Sequence, residues 1–187
     1  MRFAALLSLV AIGCGSARTH VPPGETDYGR PFEIVLAKYT VPVAMGLANP
    51  GSVGGWDEKP AMKTFVQGFT HGPRATDVDT DFVNYVLHPL AGSETHVIAR
   101  AHGWTFWEAF LFDVFGSVAW EYVFENLFER PSRTDLVVTA PLGAILGELR
   151  WQAAQAGILP GVLGPSPYDP FLEWSEDHVV VGVRVQW

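Results

Sequence analysis

Between Phe106 and Glu129 the chain reads FWEAFLFDVFGSVAWEYVFENLFE, an apolar, aromatic stretch that carries Asp113, Ser117, Glu121, Glu125 and Glu129 at intervals of four. Intervals of four place side chains along one side of a helix. Carboxylates inside so apolar a helix are costly unless something pairs with them. Successive steps of four advance about 40°, so Asp113 to Glu125 span an arc of roughly 120°. Phe106, Phe110, Val114 and Phe124 share that arc. Each acid exposed at mid-membrane costs roughly 2.5–3.5 kcal/mol on insertion scales. The segment therefore reads as a central helix, packed nearly all round, whose acids face polar groups on neighbouring helices. Arg100, Arg150, His88, His96 and His102 are the available partners. A bundle sunk partly into a membrane interface satisfies the same pattern.

Local signals bound this helix and its neighbours. Thr105 and Glu108 form a T-x-x-E capping box, and Pro131 stops the helix after Glu129 or Arg130. Ser132 and Asp135 form a second box that opens a last helix. Pro141 lies inside that helix and predicts a kink or a restart, and Gly157 and Pro160 end it. Gly143 and Gly147 form a G-x-x-x-G face suited to close helix packing. Upstream, helical patterning begins near Thr80. His88-Pro89 predicts an interruption, because the residue before proline avoids the α region. Pro89 then opens a helix through Ala101.

The expected fold is mainly α: a small bundle of three to five helices with a short β element from the two chain ends. The helical core spans about 79–157. Residues 178–187 alternate Val with polar positions and read as a terminal strand. Residues 32–44, rich in β-branched and aromatic types, read as an edge strand, and 32–41 is the natural partner for the tail. Residues 46–60 and 158–177, dense in Gly and Pro, read as loops.

The first fourteen residues read as an address. Met1-Arg2 is a minimal basic start, and the apolar run Phe3–Ile12 is too short to span a bilayer. Val10-Ala11-Ile12-Gly13-Cys14 resembles a bacterial lipobox, in which the cysteine is lipidated and becomes the mature N-terminus. Cys14 is the only cysteine of the chain, so no disulfide forms within it. The expected organisation is a signal peptide at 1–13, a lipidated tether at 14–31 and one domain at 32–187. Acyl chains on Cys14 would hold the protein at a membrane, since each buried CH₂ contributes about 0.8 kcal/mol. A net charge of −8 disfavours nucleic-acid binding and adsorption to anionic lipid by charge.

Several residues could carry chemistry. Two buried carboxylates on one helix face, Glu121 and Glu125, disfavour double ionisation, which suits general acid–base work. An ion pair with Arg100 or Arg150 is the structural alternative, and the preferred one. His88, beside Pro89, could serve as a base or buttress its turn. Arg100 could bind an anionic group of a substrate. Ser132 and Asp135 are explained by capping, as are Thr105 and Glu108, and Gly143 and Gly147 by packing. No H-E-x-x-H, E-x-x-H or G-x-S-x-G spacing occurs, so neither a metal nor a cofactor is expected.

Taken in order, His88-Pro89-x-x-Gly92, Ala99-Arg100-x-x-Gly103, Trp120-Glu121-x-x-x-Glu125, Pro131-Ser132-x-x-Asp135-Leu136 and Gly143-x-x-x-Gly147-Glu148 resemble the bacterial family catalogued as domain of unknown function 3943. The likeness covers roughly residues 56–150. It implies an envelope protein of Gram-negative type and carries over no catalytic role. With the lipobox, it leads to an expected lipoprotein on the periplasmic side of the outer membrane. Its partners would be the membrane, through the anchor, and a lipid or envelope protein. A non-catalytic lipid-binding or scaffold role is preferred, because no nucleophile or metal set is complete. The alternative is a membrane-surface enzyme acting on a lipid or envelope substrate, with His88, Glu121 and Glu125 as acid–base residues.

Overall fold

The computed structural model describes residues 21–49, 62–76 and 79–158 in full, and the backbone alone of 168–174 and 179–185. The molecule is mainly helical, with α1 (Arg30–Ala48), α2 (Met62–His71), α3 (His88–Ala101), α4 (Phe106–Ala119) and α5 (Arg133–Gln155). Strands β1 (Tyr168–Trp174) and β2 (Val179–Val185) follow.

Helix α3 packs against both α4 and α5, and these three form the centre. The α3–α5 seam is close because both helices present glycine there. A Cβ on Gly143 would lie 2.9 Å from the Gly92 Cα, and one on Gly147 would lie 2.5 Å from the His96 Cβ. Small residues fill much of the interior: Ala99, Ala101, Ala109, Ala140 and Ala144 are all buried. Val35, Ala99, Trp104, Ala109 and Phe112 make one apolar cluster, with Tyr39 against it.

Residues 32–44 are not a strand. They lie in α1, with Pro31 in its first turn and Pro42 within it. Asp27 Oδ1 accepts the backbone N–H groups of Gly29 and Arg30, which otherwise have no helical partner. Ile34, Val35 and Ala37 then bury against the bundle. The β-branched composition that favours a strand is overridden by this packing and by the cap. The tail strand accordingly has another partner: β2 pairs antiparallel with β1, from Tyr168 opposite Val185 to Trp174 opposite Val179. Residues 168–174, read as loop, supply that strand.

The folded part begins before the expected domain start at residue 32. Asp27 N–H donates to His102 O at 3.0 Å, and Trp104 Nε1 donates to Asp27 O at 2.7 Å. Residues 26–29 thus belong to the folded domain. The expected lipidation at Cys14, signal peptide at 1–13 and first part of the tether fall on residues outside the described ones.

Three helix boundaries differ from expectation. The chain does not break before Pro89: a π turn, Val83–Leu87, runs directly into α3, and His88 itself has helical φ −63° and ψ −48°. The wider π turn absorbs the proline ring and its missing N–H. The long acidic helix is not uniform either. After Ala119 it passes through a π turn at Trp120–Phe124 and a 3₁₀ turn at Glu125–Leu127. Last, α5 continues through Pro141 without a restart. The carbonyl that Pro141 leaves unbonded belongs to Val137, a 69% exposed residue, so water reaches it.

Candidate functional site

The interior is polar where the four-residue spacing requires it. Asn84, His96, Asp113, Glu121, Glu125, Asn126, Glu129 and Asp135 are all buried. They fall into separate networks.

The first joins α3, the end of α4 and the start of α5. Ser132 is the N-cap of α5, and its Oγ accepts the Asp135 N–H. The Ser132 hydroxyl donates in turn to Asp135 Oδ2 at 2.9 Å. Asp135 Oδ1 meets His88 Nδ1 at 2.7 Å. A carboxylate only accepts, so the imidazole donates through Nδ1. His88 Nε2 faces Asp79 Oδ2 at 3.8 Å, too far for a direct hydrogen bond. Behind the cap, Ser132 N–H donates to Glu121 Oε2 at 2.8 Å. The other Glu121 oxygen is buried and receives no N–H or hydroxyl. The adjacent Glu125 carboxyl is the group able to supply a proton there. A continuous path thus runs from the buried Glu121–Glu125 pair, through Ser132 and Asp135, to a His88 side chain that is 20% exposed.

Charge in this network follows burial. Desolvation raises the Glu121 pKa to about 7, against the favourable Ser132 N–H, and nearby Asp135 adds to the rise. Glu125 is raised well above the carboxylate range by burial, then by the charges of Glu121 and Glu129. Both effects favour the protonated form of Glu125. Burial opposes the His88 imidazolium, but the Asp135 hydrogen bond and the charges of Asp135, Asp79 and Glu121 outweigh it and raise the pKa. Arg74 reaches the edge of the network, 3.8 Å from Glu129.

The second network crosses α3, α4 and α5 further along. His96, fully buried, meets Asp113 Oδ2 with Nδ1 at 2.8 Å and Glu148 Oε2 with Nε2 at 3.1 Å. Both ring nitrogens face carboxylates, so either the imidazole donates through both or an acid carries the shared proton. Burial raises the Asp113 pKa to about 6 despite His96. Arg100 Nε lies 3.0 Å from Glu148, and its guanidinium also binds Trp104 O and stands over the Trp151 ring. A third group joins Arg150 to Ser93 and Glu94, with Lys38 3.6 Å from Glu94.

The site residues expected from sequence are thus partly gathered. His88, Glu121 and Glu125 meet, and Asp135 and Ser132 join them while also capping α5. Arg100 lies apart, on Glu148. The proposed ion pairs of Glu121 or Glu125 with Arg100 or Arg150 are not formed, because Glu148 and Glu94 hold those arginines. Thr105 and Glu108 cap α4 reciprocally. Gly143 and Gly147 form the α3–α5 seam. His102 donates through Nδ1 to Ile98 O at 2.7 Å within its own turn. Sequence reasoning missed Asp79, and it named His96 only as one of five partners. Neither has a local spacing signal, since their contacts are set by how the helices cross. Among the described residues no three His, Cys, Asp or Glu side chains are arranged to hold a metal ion.

The exterior is apolar where water would meet it. Trp107, Leu111 and Phe115 run along α4 at 70%, 64% and 57% exposure, and Leu142, Ile145 and Leu149 run along α5. A shallow groove beside the α4 stripe is lined by Phe32, Trp104, Leu111, Phe112 and Phe115, with Glu108 at its edge.

Residues 73–160 match the model of a family described as Domain of unknown function (DUF3943). No curated protein and no solved structure matches the chain.

Proposed function

From the premise that residues 73–160 form a DUF3943 domain, we propose that the protein is a membrane-associated lipoprotein of the bacterial envelope. It is anchored through Cys14 on the periplasmic side of the outer membrane, and its helical bundle binds lipid or a membrane partner without catalysis. One observation carries this reading. Large apolar side chains are exposed on every described α-helix except α3, whose outward Leu90 alone is open, while His96, His102, Asp113, Glu121, Glu125, Glu129 and Asp135 are buried. Exposed apolar surface on this scale marks an interaction surface or a membrane contact. Helix α1 also has the length and mean hydropathy of a membrane-crossing helix, though by composition alone. The buried networks fit a scaffold, since nearly every charged group in them has a local partner.

A flotation assay on the full chain, purified in mild detergent and then mixed with zwitterionic phosphatidylcholine vesicles, tests the reading. The protein should rise with the vesicles as detergent is removed. A protein that stays at the bottom of the gradient, monodisperse and lipid-free, would contradict it.

A second reading is acid–base catalysis on a lipid or envelope substrate. The hydrogen-bond path from Glu121 to a partly exposed His88 favours it, because an imidazole oriented by a carboxylate through one nitrogen is the form a general base takes. Glu121→Gln separates the two readings. Loss of function with no fall in melting temperature would support catalysis.

A further inference from the structure

Resting on the membrane reading above, we propose that the α1–α4 face, made by Phe32, Trp107, Leu111 and Phe115, is the surface laid into a zwitterionic lipid leaflet, rather than the α5 face.

Both faces expose large apolar side chains, so exposure alone does not choose between them. Three other observations do. The first is where the chain leaves the fold. Val21 lies beside Gly103, where a Cβ would stand 3.3 Å from the Val21 side chain. Gly103 immediately precedes Trp104, a groove residue. Cys14 is seven residues before Val21. Even fully extended, seven residues reach about 25 Å. An acylated Cys14 therefore enters the bilayer within that distance of the Gly103–Trp104 turn, at one end of the groove.

The second is continuity. Phe32 of α1 bridges to α4 by ring contacts with Trp104, Phe112 and Phe115 at 5.9, 4.7 and 5.8 Å. Two helices thus present one apolar surface. The third is charge. The ionic groups of α1 are neutralised in place, Arg30 by Glu33 and Lys38 by Glu94. Glu108 at the groove edge is satisfied by Thr105 and by the Tyr28 hydroxyl at 2.7 Å. Nothing on this face recruits an anionic headgroup, and the net charge of −8 opposes one. Exposed Trp and Phe side chains suit the headgroup–acyl boundary.

The test uses the full chain isolated from membranes, where an acylated Cys14 leaves no thiol. Leu111→Cys and Ile145→Cys are labelled with the environment-sensitive dye NBD, with the parent chain as blank, and reconstituted in phosphatidylcholine vesicles with or without doxyl-labelled lipid. The expected result is a blue-shifted emission at position 111 that doxyl lipid quenches, and a water-like, unquenched emission at position 145. Equal or stronger quenching at position 145 would overturn the choice of face while leaving membrane association intact. Water-like emission at both positions would overturn the membrane reading as well.

Discussion

His88 Nδ1 and Asp135 Oδ1 stand 2.7 Å apart, and the same Asp135 is held at its other oxygen by the Ser132 hydroxyl that caps α5. The helix cap and the histidine are therefore one unit. Asp135 stabilises the start of α5 and fixes the ring that begins α3.

Removing that carboxylate should cost more than an ordinary cap. Asp135→Ala leaves His88 and the Ser132 hydroxyl without their acceptor in a buried setting. Breaking a buried charged pair costs about 3–5 kcal/mol, against about 1 kcal/mol for a cap alone. Urea denaturation at pH 7 should show a loss nearer the first figure. Thr105→Ala, at the exposed cap of α4, should show one nearer the second.

Stability should fall as pH rises. Glu121 is raised to about 7 from an ordinary value of 4.5, and Glu125 is raised well above its ordinary value by burial and by its acidic neighbours. The folded state thus holds protons that the unfolded chain has released, and stability declines from about pH 4.5 upward through pH 7. Glu121→Gln keeps an acceptor for the Ser132 N–H and removes the repulsion with Glu125. It should flatten this decline, stabilising more at pH 8 than at pH 5. Thermal melts across that range check both slopes.

His96 should matter most at high pH. Its removal in His96→Leu takes away the group that favours ionised Asp113, whose pKa burial already raises to about 6. The stability lost should therefore grow as pH rises above 6. Adding Asp113→Asn should recover part of it, because no buried charge is then stranded. Paired denaturation curves at pH 5 and pH 8 give the comparison.

The glycine seam predicts a reversal of ordinary helix propensity. In an exposed helix Gly→Ala gains about 1 kcal/mol. Gly147→Ala should instead lose about 1–3 kcal/mol, because its Cβ would stand 2.5 Å from the His96 Cβ. Gly143→Ala, 2.9 Å from the Gly92 Cα, should also lose stability. A stabilised variant in either case would disprove the close approach of α3 and α5.

What could be read beforehand was what local chemistry encodes. The Thr105–Glu108 box, the Ser132–Asp135 cap and the need to pair acids spaced by four all depend on neighbours within one or two turns. What could not be read depends on crossing geometry. Arg100 and Glu148 are 48 residues apart, and nothing in their local sequence favours that pairing over one with Glu121. Residues 32–44 misled because Ile34, Val35 and Tyr39 have strand-like side chains, whereas the Asp27 cap and the apolar cluster around Trp104 decide for a helix. The π turns at Val83–Leu87 and Trp120–Phe124 leave no simple periodic signature.

The large apolar side chains exposed on α1, α2, α4 and α5 are proposed to belong at a membrane. Native mass spectrometry tests this proposal most directly, on the full chain expressed in a Gram-negative host and released in mild detergent. The account predicts a mature mass that begins at acylated Cys14 and carries bound phospholipid. An unprocessed or unacylated chain, recovered lipid-free from the soluble fraction, would contradict it.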